Sequence, residues 1–381
     1  MPGLGAGPQG PALFLCLYAR KIGGGIAMPT LRIGLFDIHQ VDPRQPVGSR
    51  VTGEVFAQRL DDLALADSLG YAIAFTAERH FMPGYRCPSP GAWLGAASQR
   101  TQSMRLGVMA YTLPIHAPVQ LAEEIAVLDH LCGGRLEVGF GLGHRPEELL
   151  ALAVDPALRV PIYQEWLGLV RRLWAGELVT HRSPHVTLRQ VAIHPLPAQQ
   201  PHPPLWHAGT EPVAARWIGG QDLGLAVGFA PTPRLLPAVE AFRAGQRERA
   251  ESARSDAPLY RPCGSLALMR HVYVAETEAR AQSEITDDLL YLEEVRAGGS
   301  LGEGSRSERR EHAAELAVAL VRDELMIAGG PETVAALLIQ AREALGIDLF
   351  LANVYASGVE TARVHRTLRL LAGEVRERLL S

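Results

Sequence analysis

From Leu31 onward, short apolar segments alternate with longer amphipathic segments of helical length. This alternation predicts a parallel sheet, because two consecutive parallel strands must be joined by a crossover that is usually a helix. Eight apolar segments are predicted as strands: Leu31–Phe36, Ala72–Thr76, Arg105–Tyr111, Leu136–Phe140, Leu205–Ala208, Gly224–Phe229, Leu266–Val274 and Leu349–Val354. Eight parallel strands close a barrel. The sequence therefore predicts an α/β fold, a single (β/α)8 TIM barrel with insertion loops.

The segments between the strands carry helix signals. The first predicted helix places Phe56, Leu60, Leu63 and Leu69 near one face and ends at Gly70. The third is predicted over Val119–Leu131, before Gly133, and the last begins near Val359. Residues 177–203 are rich in His and Pro, which predicts an extended excursion, and the polar, Gly-rich residues 297–311 predict a mobile loop.

Charge and cysteine usage narrow the function classes. The 37 Lys and Arg residues are outnumbered by 41 acidic ones, and no basic stretch recurs that could neutralise a run of phosphates, so nucleic acid is not expected as a partner. The four cysteines lie far apart without a CxxC pair, which predicts free thiols. These observations predict a cytoplasmic protein.

The first 27 residues differ from the rest of the chain. A Gly/Pro-rich stretch precedes an apolar run, Ala12 to Ala19, whose positive charges follow it, whereas a signal peptide carries them before it. The run is also too short to span a bilayer. We interpret residues 1–27 as a disordered tail, or as residues upstream of a true initiator at Met28, and residues 28–381 as the barrel domain. Secretion is the less favoured alternative.

The segment Ala77–Phe81 is the most informative motif. It follows the second predicted strand and places Glu78, Arg79 and His80 side by side. Barrel enzymes keep their chemistry at the carboxyl ends of strands, and a carboxylate beside an imidazole can handle a proton near neutral pH. The alternative is a solvated strand end that carries a structural ion pair.

With this motif the chain resembles the bacterial luciferase-like family of flavin-dependent monooxygenases. Further matching stretches follow in order: Leu113–Pro118, Ala122–Glu124, Leu128–Asp129, Gly133–Arg135, Gly139–Gly143, Arg145–Glu148, Trp174–Gly176, Pro203–Trp206 and Gly209–Thr210. The resemblance covers residues 31–230 well and the remainder by topology.

The resemblance implies roles for individual residues. Glu78 and His80 would be the catalytic pair facing the flavin ring. The third strand would bend under that ring at a cis non-proline bond, which we place at Met109-Ala110. The cofactor would also contact the turn Gly141, Leu142 and Gly143, together with Arg145, Gly209 and Thr210. Glycines in such turns let backbone N–H groups approach a phosphate closely.

Two positions depart from the family pattern. The luciferase subunits carry a histidine where this chain has Arg79, so light emission is not expected. They carry a phosphate-binding arginine where this chain has Leu142, so the phosphate would be held by Arg145, Thr210 or backbone amides.

The resemblance implies an oxidoreductase that uses reduced FMN, supplied by a separate flavin reductase, and molecular oxygen on a small organic substrate. It also implies a homodimer. Neither a metal nor a membrane is expected. Two alternatives stay open: hydride transfer with a deazaflavin coenzyme, and a barrel that has lost the chemistry.

Overall fold

Parallel strands form the centre of the molecule. The computed structural model describes residues 31–42, 50–252, 265–296, 305–355 and 359–380. The strands are β1 (Arg32–Asp37), β2 (Ile73–Thr76), β3 (Arg105–Thr112), β4 (Leu136–Gly141), β5 (Val179–Arg182), β6 (Thr187–Val191), β7 (Leu205–Ala208), β8 (Gly224–Gly228), β9 (Leu266–Val274), β10 (Met326–Gly329) and β11 (Leu349–Asn353).

Eight of these strands close a barrel in the order β1-β2-β3-β4-β7-β8-β9-β11, with β11 returning to β1. Every barrel pairing is parallel, as at Leu35 with Ala352 and at Leu225 with Leu266. The eight barrel strands are the eight predicted from the sequence, with end points that differ by at most one residue. The predicted fold class is confirmed.

Helices surround the barrel and connect its strands. They span Arg50–Ser68, Pro90–Ser98, Pro118–Leu131, Pro146–Ala151, Arg159–Trp174, Pro212–Gly220, Thr232–Ser252, Glu278–Arg296, Arg306–Arg322, Pro331–Leu345, Thr361–Leu370 and Arg376–Leu380. Five of these begin at a proline, whose missing N–H costs nothing at the first helical position. Gly70 lies two residues beyond the first helix with φ +74°, as the sequence predicted.

The barrel interior is filled by side chains. Met109, Trp206 and Met269 pack there with residues from most of the barrel strands, and all three are buried. At the N-terminal end, Glu137 accepts a hydrogen bond from Trp206 Nε1 at 2.6 Å and pairs with Arg105 at 2.5 Å. The interior is therefore a packed core, which leaves the carboxyl ends of the strands for chemistry.

Three strands were missed by the sequence analysis. Strands β5 and β6 form an antiparallel hairpin within residues 177–203, where an extended excursion was predicted. This hairpin buries Val179 and Leu188 against the core. Strand β10 pairs with the C-terminal half of β9, from His271 to Val274, and lies outside the barrel.

The prediction of a mobile loop over residues 297–311 is wrong for its second part, residues 305–311. Residues 297–304 lie outside the described residues. Ser305 caps the helix Arg306–Arg322, with its side chain accepting from the backbone N–H of Glu308 while Glu308 accepts from the Ser305 backbone. This reciprocal capping satisfies otherwise unpaired donors, so a polar stretch begins a helix. The predicted tail, residues 1–27, also lies outside the described residues.

Candidate functional site

Glu78 is a buried carboxylate at the C-terminal end of β2, with 1% of its surface exposed. Its Oε2 accepts a hydrogen bond from the backbone N–H of Thr112 at 2.6 Å, and its Oε1 lies 2.9 Å from Nε2 of His116. Burial by itself would raise the pKa of this carboxyl, but the interactions with His116, His80 and the Thr112 amide outweigh it and lower the pKa to about 2. Glu78 is therefore an anion at neutral pH.

His80 faces the same carboxylate oxygen. Its Nε2 lies 3.4 Å from Glu78 Oε1, and among the described residues this buried nitrogen has no hydrogen-bond partner. The interaction with Glu78 raises the pKa of His80 above the usual 6.5, while partial burial opposes that rise. The imidazole can therefore hold a proton near neutral pH.

The sequence analysis did not assign His116 to the site. It follows β3 after the short 3-10 turn Leu113–Ile115, and its backbone carbonyl accepts from Trp166 Nε1 at 2.8 Å. His116 and His80 thus approach one oxygen of Glu78 from two different strands. The available signal was a polar side chain at a strand end within the matched stretch Leu113–Pro118.

Strand β3 bends beside this group. The peptide bond Met109-Ala110 is cis, as predicted. The register between β3 and β4 shifts between Val108 and Tyr111. A Cβ on the facing Gly139 would lie 2.6 Å from the Val108 carbonyl oxygen and 2.8 Å from Met109 Sδ. Only a glycine at this position lets β4 approach the bent strand so closely.

The turn after β4 brings Arg145 to the backbone of His80. Gly141 ends β4, Leu142 packs partly buried against the main core, and Gly143 has φ +75°. Arg145 Nη1 donates to the backbone carbonyl of His80 at 3.3 Å. Its guanidinium also pairs with the exposed Glu147 at 2.6 Å. A cation therefore stands at the edge of the segment that carries Glu78 and His80.

Arg79 and His144 lie near Arg145. Arg79 donates to the backbone carbonyl of Glu78 at 3.0 Å, and burial lowers its pKa. Burial also lowers the pKa of His144, and the nearby cations Arg79 and Arg145 contribute to that shift. The guanidinium of Arg79 is thus anchored beside the backbone of Glu78.

The turn after β7 departs from the prediction in one respect. The Gly209 amide is predicted from the sequence to face a cofactor, but this N–H donates to the carbonyl of Ala226 on β8 at 3.1 Å. A Cβ at Gly209 would lie 3.0 Å from Nε2 of the buried His207. Gly209 therefore contributes close packing, and the exposed Thr210 is the residue of this turn that can meet a ligand.

These turns follow the C-terminal ends of four consecutive barrel strands. Thr76 of β2 pairs with Val108 of β3, and Thr112 of β3 pairs with Gly141 of β4. In turn, Phe140 of β4 pairs with His207 of β7. The predicted site residues therefore lie around one half of the barrel mouth.

The described ranges also bear on membrane contact and metal binding. No helix there is both long and apolar enough to cross a bilayer. In the same ranges, no three His, Cys, Asp or Glu side chains are grouped so that they could hold a metal ion.

Residues 31–349 match the family model of the luciferase-like monooxygenases. The chain belongs to this family. Protein y4wF of Sinorhizobium fredii is 34% identical over 256 residues, which are 66% of this chain and 70% of that protein. Limonene 1,2-monooxygenase of Rhodococcus erythropolis is 29% identical, over 62% of this chain and 59% of that enzyme.

A third member of the family is the oxygenase component of the flavin-dependent trigonelline monooxygenase of Acinetobacter baylyi. It is 26% identical over 60% of this chain and 62% of its own length.

Several solved structures share the fold. The monooxygenase RslO1 of Streptomyces bottropensis has a TM-score of 0.73 and 25% identity, covering 91% of this chain and 98% of that one. The oxygenating constituent of 3,6-diketocamphane monooxygenase from Pseudomonas putida, in complex with FMN, has a TM-score of 0.74 and 19% identity with the same coverage. An F420-dependent secondary alcohol dehydrogenase has a TM-score of 0.66 and 19% identity, covering 91% of this chain and 99% of that one.

Proposed function

We propose that the protein is a flavin-dependent monooxygenase that uses reduced FMN and molecular oxygen to oxygenate a small organic molecule. The observation that carries this proposal is the buried Glu78 carboxylate at the barrel mouth, whose Oε1 lies 2.9 Å from Nε2 of His116 and 3.4 Å from Nε2 of His80. A pair of this kind can hold and deliver a proton where oxygen is activated.

The residues at this mouth fit a flavin. Gly141 and Gly143 in the turn after β4 let the backbone approach a planar ring closely. Arg145 offers a guanidinium for a phosphate dianion, and Thr210 offers a hydroxyl. When bound, the reduced flavin supplies the two electrons with which oxygen is activated.

The chain's own residues have separable tasks in this proposal. His80 gives or takes a proton at Nε2, and Glu78 keeps that imidazole oriented and charged. His116 and the Thr112 amide fix Glu78 so that it does not turn toward solvent. The packed barrel interior beneath the site, which includes Met109, keeps water from entering from below.

The cofactor is tested by titrating the purified protein with FMN and with the deazaflavin coenzyme. We expect FMN reduced by a separate flavin reductase to bind and to support oxygen consumption in the presence of substrate. Tight binding of the deazaflavin together with no binding of reduced FMN would overturn the choice of FMN. A relative that is named as an oxygenase component supports the need for a separate reductase. A cytoplasmic homodimer is part of the same proposal.

The second candidate is hydride transfer with the deazaflavin coenzyme. It is favoured by Leu142, which stands where the luciferase subunits carry a phosphate-binding arginine, and by the fold shared with an F420-dependent dehydrogenase. The same titration separates the two candidates. A barrel without chemistry is tested separately by the His80→Ala variant described below.

A further inference from the structure

A cavity of about 370 Å³ adjoins the other half of the barrel mouth. Its walls come from the ends of β8, β9 and β11 and from the two helices Glu278–Arg296 and Arg306–Arg322. Its lining is mostly apolar and includes Phe229, Val272, Leu289, Leu320, Met326 and Val354. At about 30 Å³ for each water, this volume equals roughly a dozen water molecules, which matches a ligand of about ten to fifteen non-hydrogen atoms.

Two contacts link the cavity wall to residues near the candidate site. The ring of Phe229 lies 6.0 Å from that of Phe36, which belongs to the barrel interior, and 5.1 Å from that of His271. Gln40, which also lines the cavity, forms a β-bridge with Tyr85 in the loop that begins at Glu78. The cavity therefore lies at the same, C-terminal end of the barrel as the candidate site.

Two polar side chains stand next to each other in the cavity wall. His271 of β9 pairs in register with Asn353 of β11. Asn353 is 2% exposed, and among the described residues its Nδ2 has no hydrogen-bond partner. Burial lowers the pKa of His271, so this imidazole is neutral at pH 7. A buried amide N–H without a partner is costly, and an acceptor atom on a ligand would relieve that cost.

The charges at the cavity are already balanced. Asp288, which lines it, pairs with Arg363 at 2.9 Å. An anionic ligand would lie in an apolar space beside a carboxylate, and a cationic ligand would compete with Arg363. The lining therefore favours an uncharged molecule.

We propose that this cavity binds the organic substrate, and that the substrate is a neutral, mostly apolar molecule whose carbonyl or ether oxygen accepts a hydrogen bond from Asn353, beside His271. This inference rests on the proposed monooxygenase function and adds the substrate class. The pairing of His271 with Asn353 places that oxygen at the strand ends, on the side of the cavity nearest the mouth.

The test is equilibrium binding of three probes of similar size to the full-length protein: benzylacetone, which carries a ketone, butylbenzene, and the carboxylate hydrocinnamate. We expect benzylacetone to bind roughly tenfold more tightly than either of the others, the usual effect of one buried hydrogen bond. Equal binding of all three, preference for hydrocinnamate, or no binding of benzylacetone would overturn the substrate class.

Variants locate the binding. Leu289→Trp, which fills the cavity, should weaken benzylacetone binding at least tenfold, while Val318→Trp, on the exposed side of the neighbouring helix, should leave it unchanged. Asn353→Leu should remove the preference for benzylacetone over butylbenzene. If that variant does not fold, His271→Phe should reduce the same preference. Unchanged binding in Leu289→Trp would place the ligand elsewhere.

FMN titration of the same samples separates the two proposals. Normal FMN binding without benzylacetone binding would contradict only the substrate cavity, whereas benzylacetone binding without any flavin binding would contradict only the proposed cofactor.

Discussion

At the scale of single residues, the site depends on the environment of one carboxylate. Glu78 is almost fully buried, yet its pKa is about 2, because the imidazoles of His116 and His80 and the Thr112 amide compensate the loss of water. A charge in such a position is kept only by its partners. The negative charge that these partners hold in place stabilises the protonated form of His80.

The first prediction concerns stability and Glu78. The pKa of Glu78 is lower in the folded state than the usual value of about 4.3, so its stabilisation is present above that pH and is lost as the pH falls toward 2. Glu78→Gln should lower the free energy of unfolding at pH 7 by about 3 kcal/mol. Denaturant unfolding of both proteins from pH 6 to pH 2.5 should show the difference shrinking. In the exposed control Glu123→Gln no such trend is expected, and a pH-independent difference for Glu78→Gln would contradict the assigned charge.

The second prediction concerns catalysis by His80. Its Nε2 faces the Glu78 carboxylate at 3.4 Å, so His80→Ala should reduce kcat/KM for flavin-dependent oxidation by about 10²- to 10⁴-fold. Because Glu78 raises the pKa of His80, the pH profile of the native protein should change above pH 6.5, and the variant should lack that change. The neighbouring Phe81→Ala, whose side chain is exposed, is the control. Unchanged oxygen consumption in His80→Ala would refute the site.

At the scale of elements, the site depends on how closely β3 and β4 approach each other. The register shift between Val108 and Tyr111 aims the end of β3 at Glu78, so that the Thr112 amide reaches the carboxylate. Gly139 lies against this bend without a side chain. A strand glycine usually weakens a sheet, and here it permits the geometry that the site requires.

The third prediction compares two glycines. Gly139→Ala should lower the free energy of unfolding by about 1–3 kcal/mol, since its Cβ would overlap the Val108 carbonyl. Gly53→Ala, in the helix Arg50–Ser68 with no atom within 4 Å of its Cβ, should stabilise the protein by about 0.5–1 kcal/mol. Chemical denaturation measures both. Equal effects of the two substitutions would mean that the strands can separate without cost.

At the scale of the whole molecule, closure of the barrel assembles the site. Glu78 and Thr210 are far apart in sequence but leave strands that are separated only by β3 and β4. A ligand that contacts all four strand ends therefore bridges distant parts of the chain. Ligand binding to the folded state alone stabilises that state by mass action.

The fourth prediction uses this coupling. FMN at a hundred times its Kd should raise the free energy of unfolding by about 2.7 kcal/mol. Arg145→Ala should weaken FMN binding roughly 30-fold, the loss of about 2 kcal/mol from a charge-assisted hydrogen bond, and should leave riboflavin binding unchanged because riboflavin has no phosphate. Thermal unfolding with each ligand measures this, with Arg189→Ala on the β5–β6 hairpin as the control. Equal losses for FMN and riboflavin would exclude Arg145 as the phosphate ligand.

The family resemblance placed the bend at Met109-Ala110, whereas the sequence by itself determined the eight barrel strands, the positions of three helices and the Glu78–His80 motif. These features are local: apolar periodicity, turn glycines and a short motif act within a few residues of one another. Family resemblance added the cofactor class to what the local pattern indicated.

Only the tertiary structure decided which partners these residues meet. His116 reaches Glu78 from another strand, the Gly209 amide donates to the Ala226 carbonyl of β8, and His271 lies beside Asn353 in the cavity wall. Strand β10 forms because the C-terminal half of β9 has backbone N–H and C=O groups with which β10 can pair. Such contacts depend on the closure of the barrel and on the packing of helices that are distant in sequence, and neither leaves a periodic signal in the chain.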